Sequence, residues 1–259
     1  MNGGIVEIQL QQFVLVYLLL LVAAAIMKKC QIDQTKLLIV ASLRMSVQLA
    51  IAGFILTIIF ENPHPQFTLA YLAAMTIFAI FRVLSKNKGL NRRFQLVIAL
   101  SIALSGLLAV LFFICVVVRE SFFNPQYAIP LSGMIMGNTM NGVSLGIKTF
   151  RESLEGQQRK IGTLLSIGAS PQKILLPFVR QAMETALLPT MNSMLGMGIV
   201  SLPGMMTGQI LSGTMPGTAI LYQIAMMISI CTVVCMACFG SLYFGYRTLY
   251  RKDTQIIEL

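Results

Sequence analysis

The stretch RVLSKNKGLNRRFQLVIALSIALSGLLAVLFFICVVV, residues 82–118, decides the class of fold because a basic loop leads directly into a long apolar segment. Five Lys and Arg residues lie in its first part, and its second part, residues 94–118, contains no charged residue. A helix needs about 20 apolar residues to cross a bilayer, so the apolar part is long enough for one crossing. Short loops rich in Lys and Arg remain in the cytoplasm, which also orients that crossing.

The same alternation of basic loops and apolar segments extends along the chain. All of the 19 Lys and Arg residues except Arg44 and Arg119 fall into four clusters. The clusters lie at residues 28–36, 82–93, 148–180 and 247–252. Hydrophobic residues make up 56% of the chain and charged residues 11%, against about 25% charged residues in a soluble domain. Since the mean hydropathy is +0.80, the chain is predicted to be an integral membrane protein.

The net charge of +10 could also indicate nucleic-acid binding. Because the charges lie in short loops beside apolar segments, membrane topology and anionic lipid explain them better. The predicted partner is therefore the lipid bilayer, and no nucleic acid is expected to bind.

Seven apolar segments are predicted to cross the membrane. The fifth is weak because it contains many Gly and Asn residues, and the sixth is interrupted by Leu202-Pro203-Gly204. Seven crossings place the N-terminus outside, the C-terminus in the cytoplasm and all four basic clusters on one side. We therefore predict an all-α fold, a polytopic transmembrane helical bundle that forms a single domain over residues 1–259. The segments are 4–27, 37–60, 67–83, 94–118, 127–147, 186–210 and 219–246.

Glycine pairs in the fifth segment indicate close helix packing. Gly133 with Gly137, and Gly142 with Gly146, have the GxxxG spacing that lets two helices approach each other in a bilayer. We therefore expect neighbouring helices to contact the fifth helix at these glycines.

No set of residues indicates catalysis, a cofactor or a bound metal. The one histidine, His64, lies between two prolines in a predicted outer loop. The stretch GNTMNGV, residues 137–143, has the glycine spacing of a phosphate-binding loop but has Val where that motif needs Lys. Cys231, Cys235 and Cys238 share one face of a helix and could bind a soft metal. Packing as small buried residues is the favoured interpretation of these thiols.

Polar residues inside the apolar segments are the candidates for a substrate pathway or gate. Each is expected to face the protein interior, because unpaired amides and charges are unfavourable in hydrocarbon. A structural anchor would explain Arg44 equally well, and interhelical hydrogen bonds are the favoured interpretation of the asparagines and Thr139. A proline and a glycine that break a membrane helix recur at transport sites and hinges. The candidates are Arg44, Gln48, Asn138, Thr139, Asn141, Asn192, Pro203 and Gly204.

The longest predicted cytoplasmic stretch, residues 148–180, has the pattern of a helix, a tight turn and a second helix. Residues 151–167 are charged and amphipathic, which predicts the first helix. Gly168-Ala169-Ser170-Pro171 then predicts the turn, because Ser170 is a good N-cap and Pro171 suits the first position of the next helix. Such a corner could dock into a groove of a partner protein or lie on the membrane surface.

Four stretches of the chain resemble the FetB-type permeases, also called the UPF0014 family. They are IPLSGMIMGNTM at 129–140, LPTMNS at 188–193, GIVSLPGMMTG at 198–208 and YQI at 222–224. Arg44 and Gln48 are also similar to the pattern of that family's second segment. The resemblance covers nearly the whole chain. It implies the membrane subunit of an ABC transporter in the cell inner membrane, linked to iron export and metal or oxidative-stress resistance, with plant relatives linked to aluminium tolerance.

The resemblance also implies partners. These are a cytoplasmic ATP-binding-cassette ATPase subunit, in which ATP would be hydrolysed, and a second copy of the permease. Gly168, Ala169, Ser170 and Pro171 are similar to part of the cytoplasmic coupling loop of ABC importers, which implies a role in coupling to the ATPase.

The residues alone leave other classes of protein open. A secondary transporter or channel could work without an ATPase, and a membrane scaffold would not transport at all. Iron rests on the resemblance, because iron prefers oxygen and nitrogen ligands that are often carboxylates. No segment holds a central acidic residue, and Glu184 is expected near the cytoplasmic edge.

The charge pattern predicts which loops are reachable from outside the cell. In a chain whose native cysteines are replaced by serine, single cysteines at Gln66 and Gln126 should react with an impermeant thiol reagent on intact cells. Cysteines at Gly156 and Thr254 should react only after the membrane is opened. Labelling of the Gly156→Cys chain on intact cells would overturn the fifth crossing.

Overall fold

The structure is a computed structural model that describes residues 10–249, and within this range the chain forms nine α-helices and no β-strand. Helices α4 and α9 continue as π-helical segments at Phe113–Val118 and Gly240–Phe244. The prediction of an all-α, polytopic helical bundle is therefore confirmed. The helices are α1 (Leu10–Lys29), α2 (Thr35–Glu61), α3 (Pro65–Lys86), α4 (Arg92–Phe112), α5 (Pro125–Gly156), α6 (Gln158–Ser166), α7 (Pro171–Gly196), α8 (Gly204–Leu211) and α9 (Pro216–Phe239).

Two compact units divide these helices. The first contains α1 and α2 together with Leu211–Thr214, and the second contains the remainder of the chain from α3 onward. In the first unit, the hydroxyl groups of Tyr17 and Ser46 join α1 to α2 by a hydrogen bond. The single domain predicted over residues 1–259 stays a prediction.

Helix α5 is the central helix of the second unit. It contacts α3, α4, α7 and α9, and its side chains Ile135, Ile147 and Phe150 are fully buried. The ring of Phe150 meets the ring of Phe94 on α4 edge to face, with 6.5 Å between centroids. The core of this unit is therefore built around α5.

Glycines let the neighbouring helices approach α5 closely. A Cβ atom added to Gly142 would lie 2.5 Å from Cγ1 of Val234 on α9. One added to Gly146 would lie 3.2 Å from Cβ of Ala186 on α7, whereas one added to Gly137 would meet nothing within 4 Å. The predicted close packing is confirmed at Gly142 and Gly146, and Gly137 takes no part in it.

Four helices are long and apolar enough to cross a membrane, counted over the described residues. They are Thr35–Glu61, Pro65–Lys86, Arg92–Val118 and Pro216–Thr248. Helices α5 and α7 have 32 and 26 residues, so their length also exceeds the ~20 residues of one crossing, but they are more polar. The count of seven crossings and the side of each terminus stay predictions.

The fifth helix extends much further than its apolar segment. Instead of ending near residue 147, α5 continues to Gly156, and the cytoplasmic helix predicted at 151–167 is divided between α5 and α6. Two ion pairs, each between residues one turn apart on the helix, favour this continuation. The Nζ atom of Lys148 lies 3.6 Å from Oε1 of Glu152, and the Nη2 atom of Arg151 lies 3.2 Å from Oε1 of Glu155. The end of the apolar segment therefore marks where α5 can leave the hydrocarbon core of the membrane, and the helix itself ends later.

The sixth predicted segment is not one interrupted helix over 186–210. Its first helix, α7, begins at Pro171 and ends at Gly196, and α8 begins at Gly204. The break thus covers residues 197–203 and starts well before Pro203, because Gly198 has a φ of +84° that ends the helical path. Helix α8 has eight residues and is about 12 Å long, too short to cross a bilayer.

The basic loop between α3 and α4 is fastened to two other elements of the second unit. Arg151 on α5 donates a hydrogen bond to the carbonyl oxygen of Lys88. Asn91 caps α4 by accepting a hydrogen bond from the Phe94 amide at 2.7 Å. The Asn91 side chain also donates to the carbonyl oxygen of Thr248 at 3.1 Å. The loop is therefore held against the ends of α5 and of the last helix.

The glycine contacts predict a difference between two substitutions on α5. Gly146→Leu should lower the thermal stability of the purified protein, because overpacking of a close contact costs about 1–3 kcal/mol. Gly137→Leu is the matched control and should leave stability close to that of the parent, since its side chain meets open space. The fraction of each variant that still elutes as folded protein from a size-exclusion column after heating to a series of temperatures would give the two melting temperatures. Equal melting temperatures for the two variants would contradict the packing described around α5.

Candidate functional site

Exposed amide side chains lie on one side of α5. Asn138 and Asn141 are both exposed, and their three-residue spacing places them on the same side of the helix. The Nδ2 atom of Asn138 donates to the carbonyl oxygen of Met134 on its own helix at 2.8 Å. Two further residues lie on this side of the helix. Leu145, one turn beyond Asn141, is half-buried, and Lys148, two turns beyond it, is exposed.

Helix α7 has an outward side of similar character. Gln181, Glu184, Leu188 and Asn192 recur at three- and four-residue spacing, and all four are exposed. The opposite side of α7 is buried, with Ala186 1% exposed. Three of the four outward residues are polar, which is unusual for a helix of a membrane protein.

The two helices are antiparallel neighbours in fixed register. A Cβ atom on Gly142 would lie 3.6 Å from the carbonyl oxygen of Ala186, and one on Gly146 would lie 3.5 Å from that of Ala182. Four residues forward along α5 therefore correspond to four residues back along α7. Continued in the other direction, this register places Asn192 opposite Met136, about 3 Å along the helix axis from Asn138. We call the exposed sides of α5 and α7 that carry these three asparagines the amide face.

The outward sides of α4 and α9 are different in character. Beyond Arg92 and Arg93 at the start of α4, their large exposed residues are apolar, and hydrocarbon can surround them without any unpaired polar group. An amide on an outward side would leave donors and acceptors unsatisfied in lipid. The amide face is thus suited to water, a solute or another protein chain. The apolar residues in question include Leu100, Leu104, Leu107, Leu108, Ile220, Leu221, Ile224 and Ile228.

Three other pathway candidates lie elsewhere. Thr139 is fully buried, and its hydroxyl donates to the carbonyl oxygen of Ile135 at 2.7 Å. It points into the core of the second unit and is not on the amide face. Arg44 and Gln48 are exposed one turn apart on α2, in the first unit. Among the candidates on α5 and α7, the three asparagines are exposed and only Thr139 is buried, so the expectation that these polar residues face the protein interior is wrong for the asparagines.

Pro203 and Gly204 lie where the backbone break ends and α8 begins. The carbonyl oxygen of Pro203 accepts hydrogen bonds from the Thr207 amide at 2.9 Å and the Thr207 hydroxyl at 3.0 Å. The break itself is a compact turn, in which the Gly198 amide donates to the Ser201 carbonyl at 2.9 Å. Both residues therefore shape the connection between α7 and α8.

The sequence-based candidates omitted one residue beside this break. Gln223 on α9 is 3% exposed, and its Nε2 atom lies 3.8 Å from the sulfur of Met197, the first residue after α7. Its Oε1 atom has no hydrogen-bond partner within residues 10–249. A polar residue inside an otherwise apolar helix was the signal that could have found it. A buried amide oxygen without a partner is unfavourable by about 1–3 kcal/mol, so a water molecule or solute would bind there favourably.

The cytoplasmic corner has a defined backbone geometry. After α6 ends, Gly168 adopts a φ of +84°. Its amide donates to the carbonyl oxygen of Leu165, and the amide of Ala169 donates to that of Leu164, both at 3.0 Å. These two bonds form a Schellman motif, which ends a helix on a glycine in the left-handed region. The predicted turn at Gly168 is therefore confirmed.

The next helix begins as predicted, with one difference in its cap. Ser170 occupies the N-cap position of α7 and Pro171 the first helical position, but the Ser170 side chain makes no capping hydrogen bond. Ala169 packs partly against the core, whereas Ile167 is 74% exposed. The corner thus presents a large apolar side chain on a rigid turn, a combination suited to protein docking.

A cavity of about 280 Å³ lies between α6 and α7 beside the corner. Ile161, Ile174 and Phe178 line it together with the basic residues Lys160 and Lys173. Its apolar wall and basic rim could receive a side chain from a partner with acidic residues nearby.

No group of three or more His, Cys, Asp or Glu side chains is placed to hold a metal ion anywhere in residues 10–249. Of the three cysteines on α9, Cys238 is buried, Cys231 is half-buried and Cys235 is exposed. The prediction that these thiols pack as small buried residues is therefore confirmed at Cys238 and wrong at Cys235.

Comparisons with known proteins agree on one family. The protein family described as "Uncharacterised protein family (UPF0014)" matches residues 10–250. A UPF0014 membrane protein of Synechocystis is 32% identical over 91% of this chain and 91% of its own length. The "Probable iron export permease protein FetB" of Escherichia coli is 29% identical over 95% and 94%. The "Protein ALUMINUM SENSITIVE 3" of Arabidopsis thaliana is 31% identical over 82% and 77%. No solved structure matches the chain.

The geometry of the corner predicts different effects for two glycine substitutions. Both Gly162 and Gly168 are exposed with open space around them, but only Gly168 has a positive φ. Gly168→Ala should destabilise the corner by about 1–2 kcal/mol, so amide exchange at the end of α6 should become roughly 5- to 30-fold faster. Gly162→Ala should slow that exchange or leave it unchanged, because Ala favours a helix. Hydrogen exchange of the protein in nanodiscs would measure both, and similar rates in the two variants would argue against the described turn.

Proposed function

Because the chain belongs to the UPF0014 family of membrane proteins, we propose that it is the membrane-spanning permease subunit of an ABC transporter. It has no enzymatic activity of its own, and a separate cytoplasmic ATP-binding-cassette subunit hydrolyses ATP for it. The permease lies in the plasma membrane, which is the inner membrane where a cell has two, and moves a metal ion or metal complex outward. The names of the Escherichia coli and Arabidopsis relatives support a substrate of this class.

The observation that carries this proposal is the amide face. Asn138, Asn141 and Asn192 are exposed on helices long enough to cross a bilayer, and lipid cannot satisfy their amide groups. A second copy of the permease, related by two-fold symmetry, would cover the face and enclose a polar space between the copies. Amide oxygens and nitrogens can replace part of the hydration of a passing solute without holding it tightly.

The polar residues limit how the substrate is held. The exposed side of α7 carries one carboxylate, Glu184, which is two turns closer to the cytoplasmic corner than Asn192 and about one turn from the level of Asn141. Carboxylates and imidazoles are the groups that bind iron firmly. The amide face is therefore suited to brief contacts with a hydrated or chelated metal, as transport requires, rather than to storage.

The cytoplasmic corner is the proposed contact with the ATPase. Its Schellman turn at Gly168 fixes the angle between α6 and α7, so little conformational entropy is lost when it docks. Ile167 supplies an exposed apolar side chain at the tip. Helix α7 begins at the corner with Pro171 and carries Asn192, so a displacement of the corner reaches the proposed pathway through one continuous helix.

The proposal is tested by charge substitutions at the corner. Ile167→Glu should leave insertion and folding intact, because the side chain is exposed and lies outside the long helices. It should weaken binding to the ATPase by about 3 kcal/mol or more, which is over roughly a hundredfold, because an unpaired charge would be buried in the contact. Co-purification of the ATP-binding-cassette subunit and stimulation of its ATPase activity in proteoliposomes would both be measured.

Thr163→Glu is the matched control, since Thr163 is also exposed on α6 but one turn away from the tip. This control should keep most of the binding and stimulation. Metal efflux from loaded proteoliposomes should depend on ATP and on the intact corner. Efflux that continues without ATP or an ATPase subunit would overturn the proposal in favour of a transporter that works alone.

A further inference from the structure

A long apolar groove lies between α3 and α4 of the second unit, with α5 behind it. Its volume is about 400 Å³. The floor is formed by the buried residues Val110, Ser132 and Met136, whereas the rim residues Ile77 and Leu107 are 66% and 51% exposed. The groove is thus a recess in the outward surface of the helices and not a closed cavity.

The lining of the groove offers nothing that requires water. Its two hydroxyl groups are satisfied by their own helices: Thr76 donates to the carbonyl oxygen of Leu72 at 2.9 Å, and Ser132 donates to that of Ala128. The other lining residues are apolar. Apolar cavities of about 150 Å³ stay dry in proteins and accept hydrocarbon ligands. A larger apolar recess on a membrane protein is therefore a site for hydrocarbon.

The dimensions of the groove identify the kind of hydrocarbon. From Leu69 to Ile80 the lining follows α3 over about 16 Å, close to the thickness of one leaflet of a ~30 Å hydrocarbon core. All of the empty space in the groove, about 940 Å³, spread over that length gives a cross-section of about 60 Å². A helix about 10 Å in diameter has a cross-section of roughly 80 Å². The groove is therefore too small to enclose a helix of this chain or of a second copy, but it has room for a methylene chain.

A basic residue is close in sequence to one end of the groove. The lining includes Leu69, near the start of α3, and Phe122, which follows α4. This end is remote from the basic loop that joins the other ends of the two helices. Arg119 is exposed three residues before Phe122, and guanidinium groups bind phosphate oxygens well.

We propose that this groove is a binding site for one acyl chain of a membrane phospholipid, whose phosphate group lies beside Arg119. The acyl chain fills the space between the outer halves of α3 and α4 and covers the side chains on the floor. The proposed lipid site does not depend on which solute the permease moves, so it can be tested independently of the proposed transport function.

The probe is a phospholipid with a photoreactive diazirine at the middle of one acyl chain. It is present as a small fraction in vesicles of phosphatidylethanolamine and phosphatidylglycerol that contain the full chain. After illumination, mass spectrometry should find cross-links on the groove residues at least fivefold more often than on Leu100 and Leu104. Those two leucines are equally exposed on α4, at 54% and 57%, but lie outside the groove.

Two substitutions on α3 provide a matched pair. Ala73→Phe places a ring in the groove and should reduce its cross-linking at least fivefold, whereas Ala74→Phe, at an exposed neighbour outside the groove, should not. Leu107→Trp fills the groove from the α4 rim and serves if Ala73→Phe fails to fold.

Arg119→Gln tests the proposed contact with the phosphate group. It should reduce cross-linking by the phospholipid more than by a diacylglycerol with the same diazirine chain. Cross-links spread evenly over all exposed apolar residues, or absent from the groove, would overturn the proposal.

Discussion

A bilayer supplies no hydrogen-bond partner, and the arrangement of this protein follows from that constraint. Hydroxyl groups along the long helices donate to carbonyl oxygens one turn earlier, as Thr76, Thr139 and Thr232 do. Beyond Arg92 and Arg93 at the start of α4, most outward positions on α4 and α9 are apolar. The amide face on α5 and α7 departs from this rule, and a departure of this kind marks the surface that another chain or a solute must satisfy.

Helix α5 connects the parts of the second unit. Gly142 and Gly146 bring α7 and α9 against it, and its outward side carries two of the three asparagines of the amide face. Near its end, Arg151 holds the loop between α3 and α4, and the chain then enters α6 and the corner at Gly168. Under the proposed function, α5 is therefore linked to the ATPase contact through α6, while the phospholipid site lies on the opposite side of α5, between α3 and α4.

Local chemistry in the sequence predicted the features that depend on single residues. The close approach at Gly142, the left-handed turn at Gly168 and the start of α7 at Pro171 follow from backbone preferences that tertiary packing did not alter. Helix ends and burial depend on packing and were harder to predict. Ion pairs carry α5 beyond its apolar segment. Thr139 is buried although Asn138 is exposed, because neighbours along a helix point about 100° apart, and the sequence alone did not show which direction faces the core.

The central claim is that the amide face borders a water-filled space within the membrane. In a chain whose native cysteines are replaced by serine, Asn141→Cys should react with a small, charged thiol reagent at least tenfold faster than Leu104→Cys. Asn141 and Leu104 are both exposed on long helices, so they differ in what surrounds them, and thiols react as thiolates, which form in water and not in hydrocarbon. The rates would be measured by quenched labelling in proteoliposomes. Equally slow reaction at both positions would show that lipid or tightly packed protein covers the face, and would contradict the account.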